Sequence, residues 1–205
     1  SEKIRNRGLM NMLLTNDQKE ALQEIANIGM GQAGASIAEV LDHFVCLSIP
    51  RILFLTQNDV AASLRSAVGE NQVSAVRQAF HSGIRGEALV VFGEQRCNDL
   101  ADLMGYEHDL DRAAELELLL DITNILVGAC LAGIGDQLHE KMSFSPPSLM
   151  ADRVPIENLL TDSSANWNNA LLVEVNFSLE QRNFACHLLI FMTEEEIHSL
   201  TAALD

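Results

Sequence analysis

Apolar residues recur every three to four positions over two long stretches, which predicts two long helices. The first runs from Asn16 to about Asp42, with Thr15 or Asn16 as its cap and Asp17 and Glu20 near its positive end. Leu22, Ile25, Ala26, Gly29, Ala33, Ile37 and Val40 form its apolar stripe, and Glu20, Glu24, Asn27, Gly31 and Ala38 lie about opposite. The second runs from Asp111 or Arg112 to about Glu140. It turns Leu116, Leu119, Ile122, Leu126, Cys130 and Ile134 inward and Glu117, Asp121, Asn124, Gly128 and Gly135 outward. Strand-like segments follow at Phe44–Ile49, Arg51–Leu55, Gly83–Phe92, Ala170–Leu179 and Asn183–Met192. Asn58–Phe80 is polar and helix-compatible, and Glu94–Met104 and a segment opened by Thr193 and Glu196 read as further helices. Three prolines between Phe144 and Pro155 are expected to break regular structure there.

A pattern is written twice, 97 residues apart: Glu20-x3-Glu24-x2-Asn27-x22-Pro50 and Glu117-x3-Asp121-x2-Asn124-x22-Pro147. Positions 20–50 and 117–147 agree at 11 of 31 places without a gap. Two copies are too few for a solenoid and point to a pseudo-symmetric pair of supersecondary units. LLIFMTEEE (188–196) also echoes LVVFGEQRC (89–97), which carries the repeat into the strands. The expected architecture is α+β, a single domain of two pseudo-two-fold-related repeats with long helices packed on a mostly antiparallel β-sheet. Residues 1–13 read as a flexible N-terminal tail and 14–205 as the domain. Repeat one covers about 14–105, repeat two about 111–205, and a short linker joins them.

Composition narrows the function. Hydrophobic residues make up 48% of the 205, enough for a globular core. No apolar run reaches the roughly 18 residues of a membrane span, and no secretory leader is evident, so a cytoplasmic protein without membrane insertion is expected. A net charge of −16 repels phosphate backbones and argues against nucleic-acid binding. Cys46, Cys97, Cys130 and Cys186 form no C-x-x-C pair and read as buried reduced thiols.

On a helix, residues three apart are surface neighbours, so Glu24 stands beside Asn27 and Asp121 beside Asn124. An amide accepts and donates at once and suits the orientation of a water molecule. A carboxylate suits a partner's lysine or arginine. A single exposed Glu/Asn pair is ordinarily solvated surface; two copies with the same following glycine and proline argue for function. Gly31 and Gly128 each cost about 1 kcal/mol against alanine in a helix, which suggests close approach of something to the backbone. Other chemistry lacks its residues: the histidines are scattered without metal-ligand spacing. Gly29-x-Gly31-x-x-Gly34 lies within a helix and follows no strand, so it is no nucleotide loop.

The doubled pattern of carboxylate or serine, x3, carboxylate, x2, Asn, x22, Pro resembles the CheC/CheX/FliY family of chemotaxis phosphatases. EIANIGMGQA (24–33) and DITNILVGAC (121–130) match its two signature helices. The two-site arrangement is closer to CheC than to single-site CheX, and the length leaves no room for the extra motor domain of FliY. The resemblance implies hydrolysis of the aspartyl-phosphate on a CheY-like response regulator. Asn27 and Asn124 would orient the attacking water, and Glu24 and Asp121 would pair with the regulator's lysine. Glu20, Gly31, Glu117 and Gly128 would belong to the partner-facing helix surface. Asp121 stands where the family usually has Glu and reaches less far, so Glu24 and Asn27 are expected to form the stronger site. The resemblance implies no cofactor held by this chain; the Mg2+ ion belongs to the partner receiver. A CheD-like deamidase is a further implied partner. The alternative is a non-catalytic binding module of the flagellar-switch type.

Overall fold

Two 26-residue helices form where the periodicity expects them, α1 (Asn16–Leu41) and α2 (Arg112–Gln137). The computed structural model describes residues 14–42, 45–55, 72–93, 110–159, 170–179 and 185–204, with single helical positions between 59 and 68. Thr15 caps α1 in a capping box. Its hydroxyl accepts from the Gln18 N–H at 3.2 Å, and its own N–H donates to the Gln18 side chain at 3.0 Å. Asp111 caps α2 through the Ala114 N–H at 2.9 Å. The tail, the linker and the predicted Glu94–Met104 helix lie wholly or almost wholly outside the described residues.

Among the described residues, eight strands form one antiparallel sheet: β1 (Val45–Leu47), β2 (Arg51–Leu55), β3 (Gln72–His81), β4 (Arg85–Gly93), β5 (Ser143–Phe144), β6 (Ser148–Pro155), β7 (Ala170–Leu179) and β8 (Ala185–Met192). A terminal helix, α3 (Glu194–Leu204), is capped by Thr193, whose hydroxyl accepts from the Glu196 N–H. The strand order is palindromic. Strands β1 and β2 both pair with β7, then follow β8, β4 and β3, and strands β5 and β6 both pair with β3. At the centre, Leu89 opposes Leu189 and Val90 opposes Leu188. The first two strands after each long helix therefore pair with the hairpin that belongs to the other half of the chain.

Alternation along the strands splits the core in two. Val76, Phe80, Val90, Phe92, Leu188 and Ile190 face the long helices, while Val73, Ala75, Leu89, Val91, Leu189 and Phe191 pack with Val68, Ile156 and Leu159 in a smaller cluster. By length and composition α2 is apolar enough to cross a membrane, but Leu118, Leu119, Ile122, Leu126, Val127, Cys130 and Leu131 are buried in this core. Where α1 and α2 cross, Gly29 meets Gly133 backbone to backbone. A Cβ on Gly29 would stand 2.8 Å from the Ile134 nitrogen.

Several expectations fail. Gln72–His81, part of the polar stretch read as helix-compatible, is a ten-residue strand. Burial on both faces overrides its helix-forming Gln, Ala and Arg. The proline-rich stretch is also regular over Ser148–Pro155, because an edge strand tolerates Pro at its ends. Val40 is 64% exposed, Met30 takes a buried place instead, and Gly135 is buried.

Cys46 is exposed, contrary to expectation, while Cys130 and Cys186 are buried; Cys97 lies outside the described residues. Burial pushes the Cys130 thiol up to about 12, and burial followed by the nearby Cys130 pushes Cys186 up as well. Raised folded values mean that these thiols favour folding fully below the ordinary thiol value of 9.0 and lose that contribution as pH climbs toward the folded values. A thiol reagent at neutral pH should label Cys46 at once and reach Cys130 and Cys186 only as fast as the protein unfolds. Rapid native labelling of either buried thiol, read by mass spectrometry, would contradict this core.

Candidate functional site

Glu20, Glu24, Asn27 and Gly31 are all exposed along one face of α1, and Glu117, Asp121 and Asn124 are exposed on α2 with Gly128 half-buried. The helical period puts each acid next to its amide, because the flanking positions Ala26, Met30, Ile122 and Leu126 are anchored in the core. Among the described residues, Glu24 and Asp121 make no hydrogen bond or ion pair, so both carboxylates are available to an external cation. Gly31 and Gly128 have nothing within 4 Å of where a Cβ would sit. The close approach suggested by glycine at these places is not made by any described part of this chain.

The asparagines are not loose. Gln23 Nε2 donates to Asn27 Oδ1 at 3.1 Å and to the Pro50 carbonyl at 3.0 Å. Gln78 Nε2 donates to Asn124 Oδ1 at 2.9 Å and to the Ser145 carbonyl at 2.9 Å. Both brackets end on the segment that leads into or carries the signature proline. In both halves that segment interrupts an edge strand, between β1 and β2 on β7 and between β5 and β6 on β3. Proline brings no N–H to a ladder, so the strand breaks and a carbonyl is left for a side chain to satisfy.

An open cleft of about 500 Å³ lies beside Asn27, between α1 and the β1–β2 segment. Gly31, Gly34, Ala35, Leu47 and Pro50 line it, so small side chains on α1 make room for an incoming group next to the amide. Ile49, on the cleft rim, is 77% exposed. Among the described residues no three His, Cys, Asp or Glu side chains cluster as metal ligands.

Neither glutamine was singled out from the sequence. Gln23 sits four residues before Asn27, a spacing that itself signals a side-chain pair. Gln78 is 46 residues from Asn124 and comes from a strand whose type the local sequence conceals.

No family model matches the sequence. The flagellar motor switch phosphatase FliY of Bacillus subtilis (strain 168) is 22% identical over 176 residues, covering 78% of this chain and 45% of that protein. The crystal structure of Thermotoga maritima FliY shares the fold, with a TM-score of 0.69 and 16% identity over 94% of this chain and 98% of that one. The chain is similar to flagellar-switch and chemotaxis proteins of the FliY type in sequence and shares their fold. The fold alone reaches further: the FliM middle domain from H. pylori superposes with a TM-score of 0.62 at 11% identity, over 93% of this chain and 99% of that one. This chain spans under half the length of the curated FliY it matches.

Proposed function

We propose that this chain hydrolyses the aspartyl-phosphate of a CheY-like response regulator, using two sites. The observation that carries the reading is the doubled arrangement of an exposed Asn, pinned at Oδ1 by a glutamine, beside an acid with no partner among the described residues. A carbonyl oxygen has two lone pairs. One on Asn27 or Asn124 takes the glutamine N–H, and the other accepts an O–H of the attacking water. The water oxygen then forms the new bond to phosphorus in line with the aspartyl oxygen that leaves, giving inorganic phosphate and a free aspartate. Nδ2 donates to a phosphoryl oxygen. Glu24 and Asp121 pair with the receiver's lysine and set the angle of docking. Such transfer needs positioning and charge stabilisation more than a protein nucleophile, which suits a site built from an amide and an acid. In this reading the Mg2+ ion is held by the receiver, and the reaction takes place in the cytoplasm, where such receivers work. The two sites follow from copies at about 14–105 and 111–205.

The test is phosphate release from phosphorylated receivers of the same organism, in Mg2+, with this protein at catalytic amounts. Release faster than the receiver's own decay, over many turnovers, is the expected result. The likeness to the FliM middle domain favours one other reading, a module that binds a receiver or a CheD-like deamidase without turnover. Binding with no acceleration for any receiver would support that module and overturn the phosphatase.

A further inference from the structure

We infer that Gln78 is a positioning residue for Asn124, holding the amide in the one orientation that serves an incoming phosphoryl group, and that Gln23 does the same for Asn27. This rests on the two-site reading above but concerns residues outside the signature pattern. Gln78 is 2% exposed and donates both amide hydrogens, one to Asn124 Oδ1 and one to the Ser145 carbonyl. Its position explains the arrangement. β3 pairs with β5 at Phe80 and His81 and with β6 from Arg77 back, so Gln78 lies opposite the gap left by Pro146 and Pro147. Ser145 is clamped there, its N–H donating to the Ala79 carbonyl at 3.0 Å and its hydroxyl accepting the Ala79 N–H at 3.0 Å. Gln78 is therefore anchored at a rigid strand break, and Asn124 is anchored to Gln78.

The arrangement is costly, which argues that it is kept for more than packing. Gln78 Oε1 and Thr123 Oγ1, next to Asn124 in the chain, are buried side-chain atoms without a partner among the described residues. Such atoms are rare and each costs on the order of 1–3 kcal/mol. An apolar side chain of similar volume would avoid the loss at Gln78 but would leave Asn124 free to rotate. The neutral amide also suits its place better than an acid. A glutamate would set an acceptor against Asn124 Oδ1, turn the amide over and add repulsion toward a phosphoryl group. Because Oδ1 is drawn toward a buried donor, Nδ2, at the other end of the planar amide, is left toward solvent.

The first site reaches the same geometry by another route. At the 97-residue offset the counterpart of Gln23 is Leu120, so the second helix carries no glutamine at that position and β3 supplies one. Two unrelated chain positions deliver the same two hydrogen bonds, to the asparagine oxygen and to a carbonyl at or just before the signature proline.

The experiment has two arms. Side-chain amide relaxation by nuclear magnetic resonance should show the Asn124 Nδ2 group ordered, at about 0.8, in the wild type, and falling below about 0.6 in Gln78→Met. In an Asn27→Ala background that isolates the second site, Gln78→Met should lower kcat for receiver dephosphorylation by about tenfold to 100-fold with KM unchanged, since Gln78 is buried and touches no partner. A wild-type Asn124 amide as mobile as the exposed Asn16 overturns the inference without any variant. An Asn124 unaffected by the substitution, or a kcat that does not move, overturns it too, as does an equal change in KM, which would mean a general structural fault. Amide order lost on substitution, with no receiver dephosphorylated even by the wild type, would sink the phosphatase reading and leave the positioning geometry standing.

Discussion

Asn27→Ala combined with Asn124→Ala is expected to lower receiver dephosphorylation by about 100-fold or more while the protein remains folded. Both asparagines are exposed, so their removal opens no cavity, and alanine is the better helix former by a few tenths of a kcal/mol. The one structural cost falls at the second site. Gln78 keeps the Ser145 carbonyl but loses Asn124 as acceptor, leaving a buried N–H that costs about 1–3 kcal/mol. The circular dichroism of the double variant should therefore match wild type, while its unfolding midpoint falls by about 2–4 °C for each kcal/mol of that cost, a loss traced to Asn124→Ala. The single variants separate two opposed effects. Reach favours the first site, because Asp121 is one methylene shorter than Glu24. Aim favours the second, because Gln78 is buried whereas Gln23 is only half-buried. If Asn27→Ala keeps more than half the rate, aim outweighs reach; a near-complete loss means the reverse. A double variant as fast as wild type would remove the asparagines from the chemistry altogether.

What was legible in the sequence is what local periodicity can encode. Each long helix carries seven turns of apolar repeat, so its bounds and its cap could be read to within a few residues, and the face bearing Glu24 and Asn27 followed from 100° per residue. β3 was hidden because Gln-Val-Ser-Ala-Val-Arg-Gln-Ala-Phe-His mixes helix formers with residues buried on both faces of the sheet. β6 was hidden by prolines that an edge strand can hold at its limits. Strand order was out of reach for a different reason. β1 and β2 find their partner more than 110 residues away on β7, and nothing in either segment names the other. The second asparagine's support was missed through the same non-locality. The first one's lies at a spacing of four, but a glutamine on a helix surface is ordinarily solvated and so carries no signal of its own.

Gly133→Ala is expected to cost about 1–3 kcal/mol, which for a chain of this size lowers the unfolding midpoint by about 2–4 °C per kcal/mol. The added Cβ would collide with the carbonyl of Gly29. Backbone has no rotamer to change, so the two helices must part. Gly31→Ala and Gly128→Ala provide the contrast within the same two helices. Their Cβ positions are open, so each should gain up to about 1 kcal/mol from better helix propensity. Activity should sort the three differently. Gly133→Ala shifts α1 against α2 and should slow the reaction along with destabilising the fold, since every signature side chain rides on one of these helices. Gly31→Ala should be more stable and yet slower, because the space it fills is where a partner would come against the helix beside Asn27 and the cleft. A Gly133→Ala protein with an unchanged midpoint would mean the helices do not cross as described. A Gly31→Ala protein both more stable and fully active would mean that no partner approaches α1 at that glycine, and the cost of keeping it would need another cause.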